Sequence, residues 1–256
     1  MADWLYWADR GGRTGPANMA IDQTLLELAG EEGLCVLRVY RWSPFTLSFG
    51  RNEPAARRYD RVAIAREHVP TVRRPTGGRA VWHAGELTYA VAAPAGQFGT
   101  LPAAYHAIHR VIADALRSLG ADASLAADGG ATALGAGACF ASPAGGEVMV
   151  GGRKVVGSAQ VRVGAGMLQH GSVLLDDDQE RVAALTLGDA PRGREQPLNR
   201  AIAAPASFES VAAVLAGAAR AAWPGTWHDV DTAERIVERS GAHLERFASE
   251  QWTWRR

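Results

Sequence analysis

Two adjacent glycines, Gly151 and Gly152, separate two runs of residues that favour β-strands, 147–150 and 153–162. A two-residue Gly-Gly loop joins neighbouring antiparallel strands, because both glycines can adopt the positive φ that such tight turns require. The sequence therefore predicts a β-hairpin here, and with it a sheet that contains antiparallel strands.

The rest of the chain mixes strand patterns with helical ones. Strands are predicted at 34–40, 45–50, 71–74, 87–93 and 167–175, and helices at 16–29, 103–119, 177–188, 208–223 and 231–248. This order predicts an α+β fold with a mixed, largely antiparallel sheet flanked by helices. Because 256 residues are many for one average domain and few for two, we expect a core over residues 1–196. Residues 197–256 are predicted to form a short helical C-terminal extension packed on that core.

Composition and charge exclude several classes of partner. The chain has 27 Lys and Arg against 27 Asp and Glu, whereas proteins that bind nucleic acid or membrane surfaces carry a basic excess. We therefore expect no nucleic acid and no membrane as a partner. Two cysteines are too few for a disulfide framework, and the N-terminal residues do not resemble a signal peptide. These features predict a cytoplasmic protein.

A glycine- and arginine-rich segment, residues 73–83, is the first candidate site. It reads Arg-Arg-Pro-Thr-Gly-Gly-Arg-Ala-Val-Trp-His and follows a predicted strand. Gly77 and Gly78 would let backbone amides approach a ligand, and the neighbouring Arg73 and Arg74 could neutralise a phosphate or a carboxylate. Alone, the pattern is more typical of a glycine turn with a solvated basic flank.

A second candidate is the strand over residues 152–160, Gly-Arg-Lys-Val-Val-Gly-Ser-Ala-Gln. Strand alternation predicts that Lys154, Val156, Ser158 and Gln160 share one face, which would suit a ligand lying across the sheet. An ordinary exposed strand face is the alternative. The third candidate is His170-Gly171, which interrupts the apolar pattern of its strand and suggests close approach of a ligand or backbone.

The two cysteines differ in their surroundings. Cys35 lies in the apolar run Leu-Cys-Val-Leu, as a buried structural cysteine does. Cys139 lies in an Ala/Gly-rich segment, 121–146, where a nearby lysine could favour a reactive thiolate. His106 and His109 share a helix face without other metal ligands, so we expect them at the core edge or surface and predict no metal site.

Taken together and in order, these segments resemble the lipoate-protein ligase A and octanoyltransferase family. The resemblance is carried by residues 73–83, Glu86-Leu87-Thr88-Tyr89, residues 153–160, Gln169-His170-Gly171-Ser172, Asn18-Met19-Ala20-Ile21-Asp22 and Arg41-Trp42-Ser43-Pro44. Each motif is weak alone, whereas the ordered set is specific. The resemblance implies a core like the catalytic domain of class II biotin and lipoate ligases. The Gly-Arg-Gly-Arg loop typical of biotin ligases is absent from the sequence.

The resemblance also implies functional residues at the matching positions. Cys139 and Lys154 are implied as catalytic residues. The implied substrate-binding residues are Arg74, Thr76, Gly77, Gly78, Arg79, Ala80, His83, Gly157, Ser158, Ala159, Gln160, His170 and Gly171. Lys154 would favour the Cys139 thiolate, backbone amides of the two glycine segments would hold an oxyanion, and Arg73, Arg74, Arg79 and Arg153 would steer acidic carrier proteins.

Within the family, three features favour the cysteine-dependent octanoyltransferase branch. Cys139 precedes Lys154 as in that branch, Gly77-Gly78-Arg79 lacks the third glycine of many ligases, and 197–256 is short for the ligase accessory domain. The expected reaction moves an octanoyl group from octanoyl-acyl carrier protein to a lipoyl domain, such as the H protein of glycine cleavage or an E2 subunit, without a cofactor. The alternatives are an ATP- and Mg²⁺-dependent lipoate ligase, an amidotransferase between carrier proteins, and a carrier-binding protein without catalysis.

Overall fold

A computed structural model describes residues 2–127, 146–177, 179–188, 195–230 and 232–255. In these residues the strands are β1 Ala2–Arg13, β2 Cys35–Trp42, β3 Thr46–Phe49, β4 Thr71–Arg73, β5 Val81–His83, β6 Glu86–Pro94, β7 Ala123–Leu125, β8 Val148–Val150, β9 Arg153–Lys154, β10 Val156–Val163, β11 Gly166–Leu174 and β12 Gly225–Val230. The α-helices are α1 Gly15–Glu31, α2 Ala55–Arg58, α3 Arg61–Arg66, α4 Leu101–Ser118, α5 Glu180–Ala184, α6 Phe208–Ala222, α7 Glu234–Ala248 and α8 Glu250–Thr253.

A mixed sheet organises the part of the chain that the structure describes. Its strand order is β10-β11-β6-β2-β1-β12. The pairs β10/β11, β11/β6 and β6/β2 are antiparallel, whereas β2/β1 and β1/β12 are parallel. Smaller sheets form in the orders β4-β3-β5 and β7-β8-β9. The predicted fold class, α+β with a mixed and largely antiparallel sheet, is confirmed.

The two faces of the central sheet bury two different cores. On one face, Tyr89 and its neighbours pack against α4 and α6 through residues such as Ile108 and Leu215. On the other face, Tyr40 and its neighbours pack against α1 and α7 through residues such as Met19. Residues paired across strands share a face, so the register assigns each side chain of β10 and β11 to the α4 side or to the α1 side.

Helix α1 begins at an N-cap, where the Thr14 hydroxyl accepts a hydrogen bond from the Ala17 amide, with Pro16 in the first turn. The helix was predicted at 16–29 and is two residues longer at its C-terminal end. It is tied to the sheet by buried polar groups. Arg38 of β2 donates to Asp22 Oδ1 at 3.0 Å, and to Asn18 Oδ1 and Asp9 Oδ2 at 2.7 Å each. This network fixes the height of α1 over the sheet.

The predicted hairpin around Gly151 and Gly152 is confirmed in part. Both glycines have positive φ, 55° and 75°, and Val150 pairs with Arg153 across the turn. The strand then breaks at Val155, whose amide still bonds to β8 while its carbonyl accepts from Leu174 of β11. The prediction that Lys154 shares one strand face with Val156, Ser158 and Gln160 is therefore wrong. Lys154 belongs to the small sheet and the others to the central sheet.

The C-terminal segment supplies more than helices. Helix α6 packs on α4 and helix α7 on α1, while β12, which sequence patterns did not predict, extends the central sheet beside β1. The first strand, β1, was also missed. The division of the chain at residue 196 stays a prediction. In the described part of the chain, none of the helices combines the length and apolar character that crossing a membrane requires.

Candidate active site

A narrow cavity lies mainly on the α1 side of the central sheet, between β2, β6, β10, β11 and the segment after β4. The space in which a water-sized sphere can be centred is about 20 Å³, and the cavity is partly open to solvent. It is lined by Met19, Tyr40, Trp42, Arg74, Val81, His83, Thr88, Gly157, Ser158, Ala159, His170, Gly171 and Ser172.

His170 is held between a carboxylate and a hydroxyl. Its Nδ1 lies 2.7 Å from Asp22 Oδ2 and its Nε2 lies 2.6 Å from Thr76 Oγ1. Burial alone would raise the pKa of Asp22, but the hydrogen bond and charge of His170, with Arg38 and Tyr40, lower it below its ordinary value. Asp22 therefore stays ionised and orients the His170 ring, which in turn anchors Thr76 of the glycine segment.

His83 is held in the same way by a second carboxylate. Its Nδ1 lies 2.7 Å from Glu86 Oε1 and its Nε2 lies 2.6 Å from Ser48 Oγ. The ring also stacks on Trp42 with centroids 3.9 Å apart. Burial lowers the pKa of His83, although Glu86 opposes this. His83 is therefore a neutral, immobile wall of the cavity at neutral pH.

Arg73 and Arg74 hold the backbone of the glycine segment and its surroundings. The Arg73 guanidinium donates to the carbonyl oxygens of Gly50, Glu53 and Thr253 at 2.7, 2.8 and 2.9 Å. Arg74 donates to Ser48 Oγ at 2.5 Å and to the carbonyls of Gly77 and Arg79 at 3.2 and 2.7 Å. Both side chains are buried. The prediction that these two arginines steer carrier proteins from the surface is therefore wrong, whereas Arg153 is exposed and Arg79 half-buried.

A further polar cluster lies on the opposite, α4 side of the sheet. Ser158 Oγ lies 2.6 Å from Tyr89 Oη and 2.8 Å from His109 Nε2. His109 Nδ1 lies 2.7 Å from the Gly146 carbonyl oxygen, which can only accept. His109 therefore carries its proton on Nδ1, and Nε2 accepts from Ser158. Gln160 reaches the same cluster through Gln169.

Burial lowers the pKa of His109 to about 4, with smaller contributions from the positive charges of Lys154 and His106 and an opposing one from the Gly146 carbonyl. His109 is fully buried, so the expectation of a core-edge or surface residue is wrong for it. Nothing in its sequence context distinguished it from His106, because the Ser158 and Gly146 partners are distant in the chain.

Lys154 lies beside this cluster and not in the cavity. Its Nζ is 2.5 Å from Glu147 Oε1, and both side chains are buried. Cys139 lies outside the described residues. The described residues on the two sides of the segment that contains Cys139 are hydrogen-bonded to each other. The Gly146 amide donates to the Ala126 carbonyl, and the Ala126 amide donates to the Glu147 carbonyl. Cys35 is buried, and burial raises the pKa of its thiol to about 11, as expected for an inert structural cysteine.

The predicted site residues that the structure describes thus divide into four groups. Those that line the cavity are Arg74, His83, Gly157, Ser158, Ala159, His170 and Gly171. Thr76 bonds to His170, while Gly77 and Arg79 bond to Arg74. Gly78 packs closely on Gly50, since a Cβ added to Gly50 would lie 2.0 Å from the Gly78 carbonyl oxygen. Ala80 is buried in a neighbouring apolar cluster. Lys154 and Gln160 lie on the α4 side.

Several groups that build the site were not predicted from the sequence. Asp22 and Glu86 orient the two cavity histidines, Tyr40 and Trp42 form walls, and Tyr89 holds Ser158. A buried carboxylate at a position facing the core was the available signal, since such groups need partners. Among the described residues, no group of three His, Cys, Asp or Glu could hold a metal ion.

Comparison with known proteins adds the family context. Residues 15–214 match the model of the lipoyl protein ligase A/B catalytic domain. Octanoyltransferase LipM of Halalkalibacterium halodurans is 33% identical over 100% of both chains. Its counterpart in Kyrpidia tusciae is 37% identical over 89% of this chain and 84% of that protein, and that of Bacillus subtilis is 37% identical over 73% and 71%.

Solved structures share the fold. A lipoate-protein ligase A bound with ATP superposes with a TM-score of 0.82 at 18% identity, covering 99% of both chains. A bi-partite lipoate protein ligase from Thermoplasma acidophilum gives 0.82 at 16% identity, covering 99% of this chain and 97% of that one. The likeness confirms the lipoate ligase-like architecture that the motifs implied.

Proposed function

The chain belongs to the lipoyl protein ligase A/B catalytic domain family, and on this basis we propose that it is an octanoyltransferase of lipoate biosynthesis. It takes the octanoyl group from acyl carrier protein and attaches it to a lysine of a lipoyl domain. The observation that carries this proposal is the match along the whole chain to an octanoyltransferase at 33% identity. The ligases, at 16–18% identity, share the fold alone.

The contacts of the arginines are compatible with the transferase. In the ligase alternative, Arg74 and the two glycines would hold the phosphate of an acyl-adenylate. Here the Arg74 guanidinium is directed at Ser48 and at backbone carbonyls, and Arg73 is likewise engaged with carbonyls. An acyl transfer between thiol and amine needs no phosphate site, so these contacts are compatible with it.

The reaction proceeds in two steps through Cys139. The Cys139 thiolate attacks the thioester carbonyl, a new thioester forms on the enzyme, and the thiol of the acyl carrier protein leaves with a proton. The lysine amine of the lipoyl domain then attacks the acyl-cysteine. The amide C–N bond forms, the C–S bond breaks, and the lysine's proton restores the cysteine thiol. Dividing the transfer lets each large carrier bind in turn.

Lys154 supports this chemistry as a buried cation beside one described end of the cysteine segment. Gly146 and Glu147 close that segment, and Glu147 pairs with Lys154 at 2.5 Å. A buried ammonium stabilises a nearby thiolate and the charge that develops on the acyl oxygen. The octanoyl chain occupies the cavity between β10, β11 and Met19, where the apolar walls are, and Ser158 of β10 both lines this cavity and contacts the His109 cluster beside Lys154.

The proposal fixes the partners. They are octanoyl-acyl carrier protein as donor and lipoyl domains, such as the H protein and E2 subunits, as acceptors. The transferase requires no ATP, Mg²⁺ or other cofactor, and it works in the cytoplasm.

Intact-protein mass spectrometry tests the proposal. The wild type, Cys139→Ala and Cys35→Ala are each mixed with octanoyl-acyl carrier protein without ATP. One octanoyl adduct is expected on the wild type and on Cys35→Ala, and none on Cys139→Ala. Cys35→Ala is the matched control, because it removes the buried and inert thiol. Addition of an apo-lipoyl domain should then clear the adduct and acylate the domain.

Two results would overturn the proposal. If the wild type forms no adduct and acylates the domain only with free octanoate and ATP, the protein is a ligase. If Cys139→Ala transfers octanoyl groups at the wild-type rate, the transfer is direct and the cysteine step is wrong.

A further inference from the structure

The cavity is narrow for the chain that it must hold. The space in which a water-sized sphere can be centred is about 20 Å³, whereas an octanoyl chain has eight carbons. Under the proposed function, the chain therefore lies in close contact with the cavity walls. The wall that can yield decides how long a chain fits.

The polar and aromatic walls are fixed by buried hydrogen bonds. Tyr40 donates to Asp22 Oδ2 at 2.8 Å and lies under the Arg38 guanidinium at 3.9 Å. Trp42 Nε1 donates to Thr88 Oγ1 at 2.7 Å, and its ring stacks on His83. Moving any of these groups would leave buried polar atoms without hydrogen-bond partners, which is unfavourable.

The apolar walls are Met19, Val81 and Ala159. Ala159 has only a methyl group, and the β-branched Val81 is stiff about χ1. Met19 has three rotatable side-chain bonds, and methionine adapts readily to irregular apolar space. Its backbone is held in place, because Asn18 and Asp22 on either side bond to Arg38. Among the lining residues, Met19 is therefore the wall that can move by rotating its side chain alone.

The movement of Met19 has a limit. The residue is 0% exposed and belongs to the core between α1, α7 and the central sheet, together with Trp7, Leu25 and Phe247. A side chain in such a close-packed core can exchange rotamers but cannot yield much more volume. From the cavity, the anchored walls and this core, we propose that Met19 sets the acyl-chain length that the enzyme accepts.

Chain-length profiles of three variants test this proposal. Met19→Ala removes most of the movable side chain, and Met19→Leu keeps its volume but makes it less flexible. Leu25→Ala is the control, because it truncates a side chain of the same core that does not line the cavity. Each variant is given hexanoyl-, octanoyl-, decanoyl- and dodecanoyl-acyl carrier protein, and transfer rates are compared. Binding of the corresponding free fatty acids is measured by titration calorimetry.

Met19→Ala should raise the decanoyl-to-octanoyl ratio by about tenfold, since one or two methylenes in an apolar pocket are worth that much discrimination. Met19→Leu, which conserves volume and so should fold well, should favour hexanoyl over octanoyl relative to the wild type. Leu25→Ala should keep the wild-type profile, because it loosens the core without lining the cavity. Equal profiles for Met19→Ala, Leu25→Ala and the wild type would overturn the proposal.

The two readouts separate this inference from the proposed function on which it rests. If the wild type fails to accept octanoyl groups from the carrier, the octanoyltransferase proposal is wrong. The free-acid titrations still decide whether Met19 limits chain length in the cavity. If octanoyl transfer proceeds but the fatty-acid affinities and transfer rates depend on chain length in the same way in the Met19 variants and the wild type, only the chain-length inference is wrong.

Discussion

His109 is a buried histidine that the fold keeps neutral, and this makes the stability of the protein depend on pH in a calculable way. Its pKa is lowered from 6.5 to about 4, mainly by burial. The unfolded chain therefore takes up a proton at this residue below pH ~6.5, while the folded protein does not until pH ~4. Stability should fall as the pH falls through this window and level off below it.

The size of the effect follows from the same values. A tenfold difference in proton affinity is worth about 1.4 kcal/mol, so the full contribution of His109 is about 3 kcal/mol, of which about 2 kcal/mol is lost between pH ~7.5 and pH ~5. Urea unfolding at both pH values should show this loss for the wild type. In His109→Gln, which can still bond to Ser158 and Gly146, the loss should be smaller by about 2 kcal/mol.

The comparison of the two proteins isolates His109 from other groups. The pKa of His83 is also lowered by burial, but its contribution is common to both proteins and cancels in the difference. His228→Gln on the exposed side of β12 is the matched control and should reproduce the wild-type loss. Equal losses for the wild type and His109→Gln would refute the conclusion that the fold holds His109 neutral.

Two further substitutions test the packing around the site. Arg38→Met should lower the free energy of unfolding by about 3–5 kcal/mol in urea titrations, because it leaves the buried Asp22 carboxylate without its arginine; a loss below 1 kcal/mol would contradict this. Gly171→Ala should cost about 1–3 kcal/mol and slow acyl transfer, since its Cβ would lie 2.5 Å from the Gly157 carbonyl oxygen and from Ser158 Oγ. Gly217→Ala, in open space on helix α6, should instead gain about 0.5–1 kcal/mol, and equal effects of the two alanines would argue against close packing at Gly171.

Local patterns predicted the elements that have a strong apolar period. Helix α1 and strands β2, β6 and β11 were found close to their observed bounds, because their buried residues recur at helical spacing or form continuous apolar runs. Strand β1 was missed because it carries charges and two glycines in its second half. Its Asp9 is buried only because Arg38 and Arg13 pair with it, and a single-sequence pattern cannot show such partners.

The break in the strand at Val155 was not predicted, for a different reason. Residues 153–156 continue the strand pattern after the glycine turn, so the sequence predicts one continuous strand. In the structure the chain leaves the small sheet after Lys154 and enters the central sheet at Val156. Which of two sheets a strand-forming segment joins depends on long-range pairing, here on Leu174 bonding to Val155, and not on local propensity.

The sequence predicted which residues belong to the site better than it predicted how they are arranged in space. His83, His170 and the glycine segments were singled out because charged or small residues interrupt apolar strands. The sequence did not indicate that His170 and Ser158 lie on opposite faces of the sheet, because that follows from the register of β10 against β11. It also did not reveal Asp22 or Glu86 as orienting groups, since each acts on a histidine brought close by folding or by a strand turn.

The pairing of β12 with β1 has a consequence for biosynthesis. Ala2 lies opposite Gly225, so β1 receives its outer neighbour only after the more than 200 residues between the two strands have been translated. Until then, one side of β1 presents unpaired amides and carbonyls, as any sheet edge does. Nascent chains stalled before residue 225 would expose this unpaired strand edge and should depend more on chaperones than chains that contain β12 do.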